Sequence, residues 1–157
     1  MPNLHFVMDI HVEVGPSQEL GEMLGLTRRI IPIIGGSFSG PTLRGKVLPG
    51  GADWQYTRID HVAVLQARYT LETDEGHLIS VVNRGFRYGK PGLAAMLASG
   101  QHVPPSEYYF MSTPLFEAAE PSLLWMTRTI FVGAAQRESG CVLLSVWQVG
   151  DSIAIQE

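Results

Sequence analysis

Along the first fourteen residues, apolar and polar side chains change places at nearly every step. Leu4, Phe6, Met8, Ile10, Val12 and Val14 fall on one face, and His5, Asp9, His11 and Glu13 occupy the other. A period of two marks a half-buried strand, because successive side chains of an extended chain point to opposite faces. After a loop over residues 15–27, the same reading gives strands at 28–34, 42–48, 54–58, 62–73, 77–86, 108–116, 128–136 and 141–149. Pro32 has no N–H for a ladder, so it places the second strand at an edge or a bulge. Gly35, Gly36, Gly40 and Pro41 are read as a turn, as is Pro49-Gly50-Gly51.

The clearest hairpin joins residues 62–73 to 77–86 through Asp74-Glu75-Gly76, a three-residue loop that ends in a glycine suited to positive φ. That loop fixes a register in which Thr73 faces His77, Leu71 faces Ile79, Tyr69 faces Val81 and Ala67 faces Asn83. One face then carries Leu65, Ala67, Tyr69, Leu71, Ile79, Val81 and Asn83. The other carries Gln66, Arg68, Thr70, Glu72, Ser80 and Arg84. Helical patterning is confined to a short stretch from Pro91 through Ala94, Ala95, Met96 and Leu97 to a stop at Gly100, and to one turn at residues 121–125. Roughly eight or nine strands with so few helices argue against βαβ units. They predict an all-β fold, a closed antiparallel up-and-down barrel or a sandwich.

Composition narrows the picture. A chain of 157 residues fits a single domain over 1–157. The net charge of −4, without a run of like charges, offers no footprint for nucleic acid or an anionic membrane surface. A hydrophobic share of 45% beside only 17% charged residues predicts a homo-oligomer, since some sheet surface should be covered. Cys141 is the lone cysteine, and the first residues carry neither a basic nor a long apolar leader, so a cytoplasmic protein is expected.

The familiar chemical motifs are missing. Asp9, His11 and Glu13 alternate on one strand, but opposite an apolar face they are expected to point to water, and no metal is predicted. The glycine stretches contain neither GK[ST] nor GxGxxG and open no convincing helix, so no nucleotide cofactor is expected. Cys141 opens an apolar strand, and no serine sits in a GxSxG elbow.

General acid–base chemistry remains. The apolar hairpin face must point inward, and it carries the Tyr69 phenol and the Asn83 carboxamide into a hydrophobic interior where polar groups need partners. A ligand and a structural hydrogen-bond network both satisfy that need. Asp53 and Trp54 follow a glycine turn, where a pocket rim would lie; an aspartate there acquires a raised pKa by desolvation or simply caps the turn. Tyr108, Phe110, Ser112 and Phe116 share a face of a later strand and either wall a pocket or fill the core.

Two stretches, from Gly35-Gly36-Ser37-Phe38-Ser39-Gly40-Pro41 to Asp53-Trp54 and from Ala67-Arg68-Tyr69-Thr70-Leu71 to Asn83-Arg84-Gly85, together with Tyr108-Tyr109-Phe110 and Phe116-Glu117, resemble the DUF3237 family, also called UPF0311. The resemblance spans nearly the whole chain. It implies a lipocalin-like or calycin-like closed barrel, often oligomeric, with Asp53, Trp54, Tyr69, Asn83, Arg84 and Tyr108 as motif positions. Arg84 is discordant, because the hairpin register puts it on the polar face.

The resulting expectation is a cofactor-independent lyase, isomerase or cyclase acting on a hydrophobic, aromatic or polyketide-like molecule in the barrel, uncharged or weakly charged. Asp53 would be general base or acid, and Tyr69 and Tyr108 donors to a developing oxyanion. Trp54, Asn83, Arg84 and Phe110 would bind substrate. A non-catalytic binding protein of lipocalin type and a solidly packed structural oligomer are the alternatives.

Overall fold

A computed structural model describes residues 1–155. Its strands are β1 (Leu4–Val14), β2 (Gln18–Met23), β3 (Leu26–Ser39), β4 (Arg44–Val47), β5 (Gly51–Thr57), β6 (Ala63–Thr73), β7 (Leu78–Gly89), β8 (Tyr108–Glu117), β9 (Phe131–Glu138) and β10 (Cys141–Val149). Each pairs antiparallel with its neighbours in the order β1-β10-β9-β8-β7-β6, and β6 continues through β4 and β5 to β3. Pairing of β3 with β1 closes the ring. The expected closed antiparallel barrel is therefore the fold, eight strands around with two extra ones.

The extra strands arise where the chain bends. β4 and β5 lie end to end along β3, and β1 and β2 do the same along its other edge. Pro32 sits at the junction of β1 and β2. Its carbonyl accepts the Gly15 N–H (2.9 Å), so its own nitrogen faces the gap between the two strands, where no ladder partner is needed.

Two sequence expectations are corrected here. Residues 15–27, read as a loop, contain β2, which forms a hairpin with β3 through Leu24 and Gly25, both at positive φ. The glycine stretch from Gly35 to Ser39, read as a turn, is the second half of β3. There the β1 ladder shifts register, and Gly36 has φ of +131° with a Cβ position only 1.9 Å from the His11 carbonyl oxygen. Glycine in this place serves a bulge inside a strand, the device that coils a strand around a small barrel.

The β6–β7 hairpin has the expected register, with Ala67 opposite Asn83, Tyr69 opposite Val81 and Leu71 opposite Ile79, and Gly76 at φ +91°. α1 (Leu93–Ala98) and 3₁₀ turns at Pro105–Glu107 and Pro121–Arg128 are the helical elements. The latter turn takes up Arg128, so the following strand starts at Phe131 rather than at 128. Leu123 and Met126 of this turn plug one end of the barrel over Met8, Ile10, Leu71, Ile79, Phe116, Phe131 and Val146. A smaller cluster of Leu65, Leu93, Leu97, Val103, Tyr108 and Phe110 lies beyond it. Packing by large apolar side chains thus fills one part of the interior and leaves a cavity in another. No helix is long and apolar enough to cross a membrane among the described residues.

Candidate functional site

The inward positions of β1, β3, β5, β6, β7, β8, β9 and β10 meet around a cavity of about 60 Å³. Its walls are chiefly apolar, with Val12, Ile31, Ile33, Leu65, Val142 and Leu144 among them, and its polar lining comprises Asp53, Gln55, Tyr69, Asn83, Arg87 and Arg137. That space holds a few waters or the head group of a ligand.

Asp53 is the third residue of β5 and points inward, half-buried. The β5–β6 ladder is interrupted beside it: Asp53 pairs with Ala67 and Tyr56 with Val64, but Gln66 is unpaired with β5. The Gln66 N–H instead donates to Asp53 Oδ1 (2.8 Å), so the side chain substitutes for a missing backbone acceptor. Gln55 Nε2 donates to Oδ2 (3.2 Å), and Arg29 Nε–H donates in turn to Gln55 Oε1 (2.7 Å). This relay orients the carboxyl. It also replaces the expected alternative of a local turn cap, since Gln66 lies on the neighbouring strand. Burial raises the Asp53 pKa above its ordinary value, against the opposing pull of the Gln66 N–H, Arg87, Arg29 and Gln55.

Tyr69 and Asn83 are diagonal neighbours on the inner face of the hairpin. The Tyr69 ring is buried among core side chains, and its Oη has no hydrogen-bond partner; neither has Asn83 Oδ1. Desolvation pushes the phenol pKa up, so Tyr69 is a neutral donor at neutral pH. Three convergent polar groups and apolar walls in one cavity are the usual composition of a small-molecule site.

A family model described as "Protein of unknown function (DUF3237)" matches residues 2–149. The chain belongs to the DUF3237 family. A UPF0311 protein of Rhodopseudomonas palustris is 39% identical over 144 residues, covering 92% of this chain and 94% of its own. A crystal structure of a conserved protein of unknown function from that species superposes with a TM-score of 0.91 at 38% identity, over 95% of this chain and 98% of the other. A crystal structure of an enzyme from Penicillium herquei has the same fold at a TM-score of 0.71 and 19% identity, with 94% of each chain covered.

The residues expected at the site do not all meet. Asp53, Tyr69, Asn83 and Phe110 line the cavity. Trp54 is 43% exposed on the outer face of β5, so it does not stack on anything inside the barrel; alternation along the strand that turns Asp53 in turns Trp54 out. Arg84 is likewise outside, on the face the hairpin register assigned it, beside Trp54, Gln66, Arg68 and Val82. Tyr108 points inward but lies outside the cavity lining, and its Oη accepts the Arg137 N–H (2.9 Å), tying β8 to β9. Phe116 packs edge-on against Phe131 in the plugged end. Asp9, His11 and Glu13 are exposed, and the described residues contain no group of three or more His, Cys, Asp or Glu arranged to hold a metal.

Sequence reasoning missed Arg29, Gln55, Arg87 and Arg137. The signal for Arg87 was present: counting on from Asn83 in steps of two along the inner face reaches Gly85 and then Arg87. Arg29 and Gln55 stand on the inward side of their strands with Ile31 and Asp53, and their meeting depends on the β3–β5 pairing.

Proposed function

We propose that this DUF3237 protein is a cofactor-independent enzyme, a lyase, isomerase or cyclase, that moves a proton on a hydrophobic, aromatic or polyketide-like small molecule held in the barrel. The observation that carries the reading is the cavity shared by Asp53, Tyr69 and Asn83, in which the Tyr69 hydroxyl and the Asn83 carbonyl have no protein partner. An unpartnered buried hydroxyl is costly to the fold and useful to a ligand.

In this reading Asp53 removes a proton from a carbon beside a substrate carbonyl. Tyr69 O–H donates to the oxygen on which the charge develops, and the Asn83 carbonyl accepts from a substrate donor. Return of the proton to another carbon gives isomerisation, loss of a group from the adjacent carbon gives elimination, and attack of the enolate on a second carbonyl closes a ring. Gln55 and Arg29 are positioning residues, since they hold Asp53 and touch no reacting atom. Burial, by raising the Asp53 pKa, makes its carboxylate a stronger base than an exposed one. The fold kinship with a Penicillium herquei protein described as an enzyme is compatible with catalysis by this architecture.

The second reading is a lipocalin-type binding protein. It is favoured by one feature: both Asp53 oxygens already accept hydrogen bonds from the protein, which a purely structural carboxylate would also do. Proton exchange separates the two. Benzylic exchange of phenylpyruvate and phenylacetone in D₂O, followed by proton NMR, should be accelerated by the wild type and slowed about 10²- to 10⁴-fold in Asp53→Asn. Binding of these probes without exchange above the buffer rate would establish the binding protein instead. A cytoplasmic location and a homo-oligomeric state belong to the same proposal.

A further inference from the structure

The interior holds more positive charge than the hairpin alone suggested. Arg87, on the inner face of β7, is only 5% exposed and lines the cavity. Among the described residues its guanidinium makes no ion pair and no hydrogen bond, and it lies over the face of Phe110, 5.5 Å from the ring centroid. Arg137 reaches the same cavity from β9, and Arg29 stands behind Gln55. Asp53 is the one carboxylate in that lining. Burial, with the charges of Arg29 and Arg137, lowers the Arg87 pKa to about 10, which leaves it a cation at neutral pH.

A buried guanidinium without a partner is among the most expensive arrangements a fold can keep. Its five donors form a planar fork suited to a carboxylate, and the aromatic face beneath it fixes the plane of that fork. We infer that the cavity takes the head of an organic anion, whose carboxylate pairs with Arg87 and Arg137 while the adjoining part of its apolar body meets Phe110, Leu65 and Ile31. Resting on the proposed function, this names the substrate class: a carboxylic acid with its acidic C–H close to the carboxylate, so that one molecule spans Arg87 and Asp53. It narrows the expectation of an uncharged or weakly charged ligand to an anion.

Phenylpyruvate and phenylacetone test this, because they differ by a carboxylate in place of a methyl group. Calorimetric titration of the wild type should give phenylpyruvate a roughly 10- to 100-fold tighter Kd, the scale of a charge-assisted hydrogen bond in a dry site. In Arg87→Met the ratio should fall to near one, while the melting temperature holds or rises, since a partnerless buried charge has been removed. Arg87→Lys should keep part of the preference, and it serves if the methionine variant does not fold. Equal affinities in the wild type, a preference that survives Arg87→Met, or no binding of either probe would overturn the inference. Selective binding of phenylpyruvate without benzylic exchange would leave the anion site standing and remove the enzyme.

Discussion

Replacing Tyr69 by phenylalanine should make the ligand-free protein more stable, which is unusual for a change deep in a core. The ring stays in place among Leu71, Val81 and their neighbours, and only the hydroxyl leaves. That hydroxyl has no partner, and a buried unsatisfied polar group costs about 1–3 kcal/mol. The adjoining cavity admits water, which brings the expected gain toward the lower end, about 1–2 kcal/mol. For a chain of 157 residues this corresponds to a rise in melting temperature of roughly 2–8 °C. Tyr108→Phe is the matched control, because the Tyr108 Oη accepts the Arg137 N–H and its removal leaves that amide without its acceptor. It should lower stability by about 1 kcal/mol. Thermal melts and urea titrations with unchanged m-values supply both numbers. Proton exchange on the probes should meanwhile fall about 10²- to 10³-fold in Tyr69→Phe, the usual loss of an oxyanion donor. A lower melting temperature in Tyr69→Phe, or no difference in sign between the two variants, would refute the claim that the Tyr69 hydroxyl is held for a ligand.

Asp53→Asn should alter the pH dependence of stability in a defined direction. The folded carboxyl has its pKa raised above 3.8, so the native state holds the proton longer than the unfolded chain, and wild-type stability falls as pH rises through that window. The asparagine variant lacks this slope, which urea midpoints measured from pH 3.5 upward will reveal; parallel curves would mean an unperturbed carboxyl. Gly36→Ala forces a Cβ to within 1.9 Å of the His11 carbonyl oxygen at φ +131°, and should cost more than about 2 kcal/mol, read as lost soluble yield or a lower urea midpoint. Exposed Phe86, Tyr88, Tyr109, Met111 and Leu115 on neighbouring strands accompany the low charged fraction, and light scattering should give a mass that is a multiple of 17.2 kDa; a single-chain mass at micromolar concentration would contradict it.

What the sequence determined by itself was local: strand periodicity, the Asp74-Glu75-Gly76 loop and, through it, a register that places Tyr69 and Asn83 side by side on one inner face. Those features depend on residues close in the chain, where a two-residue period and a turn type leave little freedom. The same alternation, carried past Asn83, would have reached Arg87, and applied to β5 it would have turned Trp54 outward. The glycine stretch was misread because a bulge and a turn both call for glycine, and only the neighbour, here the His11 carbonyl, tells them apart. Closure of the barrel decided the rest. Arg29, Gln55 and Asp53 meet because β3 pairs with β5, and Arg137 comes to the same cavity because β9 lies between β8 and β10. Such pairings join residues tens of positions apart, whose contact depends on ring closure and shear rather than on any local pattern, and the unpaired charge they enclose is therefore visible only in the folded barrel.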